Sequence, residues 1–319
     1  MVGDRDVRWM TRRNPLPPAL RTYGFTVQEA VALTGRGRLR ASDLRTLHRG
    51  VRMPSRAGDS FAVHTASLAL VMPPAAFFCG TSAAEIHGIP LPPSAVFPSR
   101  GLEVGVPSEH RALRRRGIIG RKLRVREADL TAVHGRLVTT PARTWCDLAT
   151  SLDVPHLVAA GDWLIRAGAA TRAELGDAVE DHPGRRFRGR LRLALRLLDE
   201  RAESPKESEL RAIVVLAGLP VPTPQVVVSD EFGRFVARGD LVFEDYGEVR
   251  EYQGDHHRTD RAQWRRDRTR EAEIEATGRH VTEVTDDDLA HPEALLRRLE
   301  ANLRRRGWDG PRTPMAPRP

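Results

Sequence analysis

The segment Val236–Arg258, VARGDLVFEDYGEVREYQGDHHR, constrains this chain most, because it reads as a β-hairpin that concentrates acid. Two short runs, Val236–Phe243 and Glu248–Gln253, flank Glu244-Asp245-Tyr246-Gly247, whose Asp and closing Gly suit a tight turn. With Asp245 and Tyr246 as the loop, antiparallel pairing sets Asp240 directly opposite Glu251. Side chains alternate along a strand, so Arg238 and Val242 share the face of Asp240, and Val249 and Gln253 share that of Glu251. Like charges directly opposite destabilise a sheet, and close carboxylates raise one another's pKa unless a cation lies between them.

A divalent metal removes that conflict. Mg²⁺, or Mn²⁺ in its place, suits hard oxygen ligands, with waters and substrate phosphates completing the shell. Such an ion polarises a phosphodiester and lowers the pKa of a bound water, which points to phosphodiester hydrolysis with Asp240 and Glu251 as metal ligands. Spacing alone equally allows a solvated hairpin whose acids pair with Arg238 and Arg250.

The arrangement of Asp240, ten residues, Glu251-Tyr252-Gln253 and then Gly254-Asp255-His256-His257-Arg258 resembles the PD-(D/E)XK nuclease superfamily. More narrowly it is similar to a domain family of unknown function related to very-short-patch (Vsr) mismatch-repair endonucleases. The likeness covers roughly Glu203 to Arg305, beginning at Glu203-Ser204-Pro205-Lys206-Glu207. It implies a restriction-endonuclease-like α/β domain in which Asp240 and Glu251 hold the metal, Glu207 is a further acid and Gln253 stands where the superfamily has Lys. Gln253 donates a hydrogen bond but carries no positive charge and is no base, so part of the chemistry would pass to His256 or His257. Adjacent side chains point to opposite sides, so one of these histidines faces the site, and His257 is the candidate. Zinc fits poorly, because no Cys lies near.

Beyond the hairpin, Thr259–Thr277 reads as a helix closed by Gly278, with Thr259 or Asp260 as N-cap. It carries Arg261 and Arg265 among other arginines, suited to phosphates or to a solvated face. A strand over Arg279–Thr285, a terminal helix over Pro292–Arg305 and a loose Pro-rich tail follow. The C-terminal third thus runs helix, strands, helix, strand, helix.

Net charge of +9 and a pI near 10.6 favour nucleic acid as partner over a membrane surface. Cys79 and Cys146 are too few for a disulfide framework. The opening MVGDRDVRWMTRR lacks a signal-peptide core, and the apolar run Ala66–Cys79 is broken by Pro73 and Pro74, so a cytoplasmic location without membrane contact is expected.

At the front, Thr26-Val27-Gln28-Glu29 is a capping box that opens a short helix, and Gly35-Arg36-Gly37 makes a turn. Ser42 is suited to cap a second helix through Leu47, and Arg49–Pro54 reads as a strand. That outline is a winged helix, with Arg38, Arg40, Arg45 and Arg49 along its DNA side. The region resembles the N-terminal domain of AbiEi-type antitoxins, regulators of type IV toxin-antitoxin systems. Gly80–Pro92 and Thr139–Ala149 resemble motifs of actinobacterial relatives of those antitoxins.

Both middle motifs read as structural. Thr140 caps a helix with Pro141 in its first turn, Thr81 or Ser82 caps the helix that ends at His87-Gly88, and Thr171–Glu174 is another capping box. The arginines between Arg111 and Arg126 suit either phosphate contact or a solvated loop.

The expected fold is mixed α/β in four parts. These are a winged-helix-like region (1–57), an AbiEi-like α+β middle region (58–202), the nuclease-like α/β domain (203–306) and a flexible tail (307–319). The expected function is a Mg²⁺-dependent, DNA-binding endonuclease. The alternative is a non-catalytic regulator or antitoxin that binds DNA and a cognate toxin.

Overall fold

A computed structural model describes residues 14–21, 24–252 and 261–316, with the backbone alone at 261–267. Mixed helices and three sheets make an α/β fold.

The front unit comprises β1 (Phe25–Thr26), α1 (Val27–Arg38), β2 (Leu44–His48) and β3 (Val51–Pro54), the strands forming an antiparallel sheet in the order β1-β3-β2. The capping box is present: Thr26 Oγ1 accepts from Glu29 N at 3.1 Å, and Glu29 Oε2 accepts from Thr26 N at 3.3 Å. Gly35, at φ 77°, breaks the helix where a turn was expected. The helix expected from Ser42 through Leu47 is instead strand β2. Turn chemistry decides this outcome. His48 pairs with Val51 across Arg49-Gly50, Gly50 takes φ 92°, and the fully buried Val51 and Met53 hold β3 in place, so the segment closes as a hairpin.

In the middle region α2 (Phe61–Ala69) precedes a five-stranded mixed sheet in the order β6-β5-β4-β8-β7. Its strands are β4 (Phe77–Phe78), β5 (Leu102–Pro107), β6 (Ile118–Leu123), β7 (Leu130–Val133) and β8 (Arg136–Thr139), with α3 (Gly80–His87) between β4 and β5. Four helices follow: α4 (Pro141–Leu148), α5 (Val154–Arg166), α6 (Arg172–Asp181) and α7 (Arg188–Leu197). They enclose a core around Trp145, Leu157, Leu164, Leu175 and Leu191. Thr140 and Thr171 cap α4 and α6 as expected. Thr81 and Ser82 do not cap α3. The helix starts at Gly80, and both hydroxyls bond Glu103 instead, Thr81 Oγ1 donating to its carboxylate at 3.1 Å and Ser82 Oγ accepting from its N–H at 2.8 Å.

The C-terminal unit runs α8 (Pro205–Leu216), β9 (Thr223–Ser229), β10 (Phe235–Phe243), β11 (Glu248–Tyr252), α9 (Arg261–Ala276), β12 (His280–Val284), α10 (Asp286–Ala290) and α11 (Pro292–Arg305). The sheet order is β12-β11-β10-β9, an antiparallel meander with β12 added parallel to β11. This is the expected element order, with α10 inserted under its own capping box between Thr285 and Asp288.

Helix α8 belongs to two cores. Ala212 and Val215 enter the core of the four preceding helices, while Leu210 and Val214 pack with Leu241, Phe243 and Leu299 of the C-terminal unit. Buried Arg211 and Asp162 pair at 2.8 Å and lock α8 to α5. The segment expected to be a loose tail is docked as far as Met315, although it has no regular structure. Trp308 is buried, Arg312 pairs with Glu300 at 3.1 Å, and Met315 N donates to Leu216 O at 2.8 Å. Gly218, at φ 77°, leaves the space through which the Thr313 backbone passes.

Candidate functional site

The acidic hairpin has the anticipated register. Leu241 pairs with Arg250, Val242 with Val249 and Phe243 with Glu248, which carries Asp240 opposite Glu251. The loop is wider than two residues, a 3₁₀ turn over Glu244–Tyr246 closed by Gly247 at φ 57°. On the far side β9 sets Val226 against Gly239 and Pro224 against Leu241, so Gln225 falls beside Asp240, and Glu251 pairs with Glu283 of β12. A row of Gln225, Asp240, Glu251 and Glu283 therefore crosses the whole sheet.

Glu207 joins this row from the first turn of α8, where Ser204 caps the helix by accepting from Glu207 N. Glu207 is buried, and its Oε2 accepts from Gln225 Nε2 at 2.6 Å and from Glu203 N at 3.0 Å. Gln225 holds φ 55° there, unusual for a residue with a side chain. Asp240 Oδ2 accepts from Tyr252 N at 3.0 Å, and burial, reinforced by the charge of Glu207, pushes its carboxyl up to about 6.

Among the described residues the hairpin's two acids are not paired by the hairpin's own arginines, and Arg238 turns instead to Glu203 before α8. Arg270 of α9 pairs with Glu251 at 2.8 Å, Arg268 with Glu283 at 3.5 Å, and Arg238 with Glu203 at 2.6 Å. Arg250 points to the opposite face, as strand alternation requires, and pairs at 3.0 Å with Glu248 inside the core. Burial lowers the Arg250 guanidinium to about 10. Carboxylates of this type suit a hard divalent ion, yet Arg270 already meets the charge of Glu251. Among the described residues no group of three or more His, Cys, Asp or Glu converges to hold a metal. Gln253, His256 and His257 lie outside the described residues, as do the side chains of Arg261 and Arg265.

A second candidate surface lies around the β2–β3 hairpin. Arg36, Arg40 and Arg52 line one cleft of about 690 Å³, and Arg49, Arg114, Arg115 and Arg116 line another of about 900 Å³. Gly50 and Val71 belong to both clefts, which makes one continuous band, and no carboxylate lines either. Two of the anticipated DNA contacts are occupied in other ways. Arg38 grips Asp43 through two bonds of 2.9 and 2.7 Å, and Arg45 bonds Asp59 at 3.0 Å and the carbonyls of Ala57 and Gly58. Arg40 and Arg49 are exposed on the band. Arg36 and Arg52 were not anticipated, since pattern alone does not show which arginines the hairpin brings round to one side.

Buried ion pairs stiffen the middle region. Arg143 bonds Asp147 at 3.0 Å and Asp129 at 3.1 Å, and His182 Nε2 meets Asp147 at 3.0 Å. Glu103 receives Arg100 at 2.8 Å and Arg121 at 2.5 Å. His87 Nε2 bonds the Thr139 carbonyl at 2.7 Å, a structural tie between α3 and the end of β8.

The region with this architecture, residues 75–200, matches the AbiEi antitoxin C-terminal domain family. The match covers the middle of the chain and stops short of the C-terminal unit that begins at α8. Two proteins of Mycobacterium tuberculosis described as uncharacterized, from strains CDC 1551 / Oshkosh and H37Rv, are each 33% identical to this chain over 179 residues. The aligned part covers 56% of this chain and 66% of each relative, so the chain spans just under two thirds of their length. No solved structure matches it. Among the described residues no helix is long and apolar enough to cross a membrane.

Proposed function

We propose that the protein is a DNA-binding regulator of the antitoxin type, whose front unit holds an operator and whose middle region serves a cognate toxin. The observation that carries this is the arginine band around the β2–β3 hairpin, free of carboxylates and adjoining the region that matches the antitoxin family. Within the front unit Arg38 and Arg45 are spent on Asp43 and Asp59, whereas Arg36, Arg40 and Arg49 have no acidic partner among the described residues. Unpaired guanidinium groups beside a projecting hairpin suit phosphates along a groove, where contacts release counterions and make affinity salt dependent. The test is binding of the purified chain to the duplex upstream of its own gene, against a scrambled duplex of equal length. Preference for the upstream duplex supports the regulator, and equal binding removes it. Rescue of growth on co-expression with a toxin encoded beside its gene would support the partner, and absence of rescue would count against it.

A second reading is favoured by one observation, the alignment of Asp240 with Glu251 beside buried Glu207. In it the C-terminal unit is a Mg²⁺- or Mn²⁺-dependent endonuclease, with Asp240 and Glu251 as ligands, Glu207 assisting and Gln253 and His257 placing the water. The ion would supply Lewis-acid activation of the phosphodiester, and Arg270 would have to leave Glu251 first. Cleavage of duplex, mismatched and single-stranded DNA by the wild type and its loss in Asp240→Ala would establish this reading. Absence of cleavage in both, with DNA binding intact, would end it.

A further inference from the structure

Beside the acid row a cleft of about 660 Å³ opens where β9 and β10 meet Arg270 of α9, a volume within the range of small-molecule sites. Three kinds of chemistry line it. One part is apolar and open: Val227 and Phe235 are 56% and 68% exposed there, beside β9, the edge strand of the sheet. A second part is half-buried and offers acceptors. Asp240 uses Oδ2 for Tyr252 N, and Gln225 uses its amide nitrogen for Glu207, so that Asp240 Oδ1 and Gln225 Oε1 take no hydrogen bond from the described residues. The third part is cationic. Arg238 and Arg270 spend Nη2 alone on the described residues, Arg238 on Glu203, and Arg270 on Glu251 and the Arg238 carbonyl.

We infer that this cleft binds one unpaired nucleotide, its base stacked on Phe235 with N–H donors toward Asp240 and Gln225, and its phosphate held by Arg238 and Arg270. An exposed aromatic ring gives any base a stacking face. Two acceptors without donors favour a base edge that presents adjacent N–H groups, as the N1–H and N2–H of guanine do. The remaining guanidinium N–H groups suit phosphate oxygens. A free nucleotide and a nucleotide within a single strand present the same groups. The inference needs no metal, no cleavage and none of the front-unit arginines, so it stands or falls apart from both readings above.

The test is fluorescence anisotropy of the full chain in EDTA, with Arg40→Gln/Arg49→Gln present throughout to silence the arginine band. The probes are a labelled thymine pentanucleotide and the same strand with guanine at its centre. The guanine strand should bind more tightly, and Phe235→Ala should weaken it by about tenfold or more, the loss of one base–aromatic stack. Phe232→Ala, in the turn of the same hairpin with Arg234 5.1 Å over its ring and outside the cleft, should change nothing. Asp240→Asn keeps an oxygen for Tyr252 N, turns an amide nitrogen toward the cleft and should abolish the preference for guanine while thymine binding remains. Displacement by free guanosine monophosphate at the strand's own affinity identifies a free nucleotide as the occupant, and displacement by the strand alone identifies a polynucleotide. Either supports the cleft. Wild-type affinity in Phe235→Ala, or equal binding of the two strands, overturns it. Self-association that Phe235→Ala abolishes, with no nucleotide bound, assigns the ring to a contact between two copies of the chain and overturns it as well.

Discussion

Arg270 stands 2.8 Å from the Glu251 carboxylate, and Glu251 lies across the ladder from Asp240. The charge conflict that the hairpin pattern creates is thus met by a guanidinium from α9. If Arg270 serves as the resident cation, the melting temperature of the wild type should be indifferent to Mg²⁺, Mn²⁺ or a chelator. Arg270→Gln should melt lower, with a loss of about 1 kcal/mol of stability, and regain it when Mn²⁺ is added. A wild-type melting temperature that rises with metal and falls with chelator would favour the nuclease reading.

Asp240 should cost stability at neutral pH. Its carboxyl titrates near 6 in the fold, above the ordinary 3.8, so between those values the native state binds more protons than the unfolded one. Its contribution therefore declines as pH rises from about 4 to about 6 and stays low above that. Asp240→Asn keeps an acceptor for Tyr252 N and should stabilise the fold at pH 7 by about 2 kcal/mol, with no gain at pH 3. Denaturant titrations at both pH values check this, and an equal effect at both would contradict it.

Asp162 and Arg211 are the buried pair between α5 and α8. Asp162→Ala leaves Arg211 desolvated and unpaired and should destabilise by about 3–5 kcal/mol. Because α8 contributes to both cores, unfolding of the middle and C-terminal regions should stay coupled, giving one calorimetric transition in the wild type. Two separated transitions would show that α8 does not bind the regions into one unit.

Gly218→Ala should free the tail. A side chain there meets the Thr313 backbone and also opposes the positive φ, at a cost of about 1 kcal/mol or more. Limited proteolysis should then cut after Arg312 faster than in the wild type, and an unchanged rate would contradict the docking.

Much of this was legible in the sequence because the signals were local. Capping boxes at Thr26 and Thr171 and the Thr140-Pro141 start fix their elements without help from distant residues. The Asp240–Glu251 register was legible because the count between the strands is the same for a narrow or a wider loop. What escaped depends on tertiary contact. Buried Glu103 diverted the Thr81 and Ser82 hydroxyls, the Arg49-Gly50 turn drew Leu44–His48 into a strand, and Arg270 reached Glu251 from a helix that sequence spacing does not place. The composite band joins Arg40 and Arg49 to a loop some sixty-five residues onward, which no pattern in either segment reveals.

The most direct test of the central claim is the affinity of the full chain for the duplex upstream of its gene relative to a scrambled duplex, measured with wild type and Arg40→Gln/Arg49→Gln at matched salt. A regulator should prefer the upstream duplex by about a thousandfold or more, and the variant should lose most of that binding while melting as the wild type does. Equal affinity for both duplexes, or a variant that binds like the wild type, would contradict the assignment of the arginine band as the DNA-reading surface.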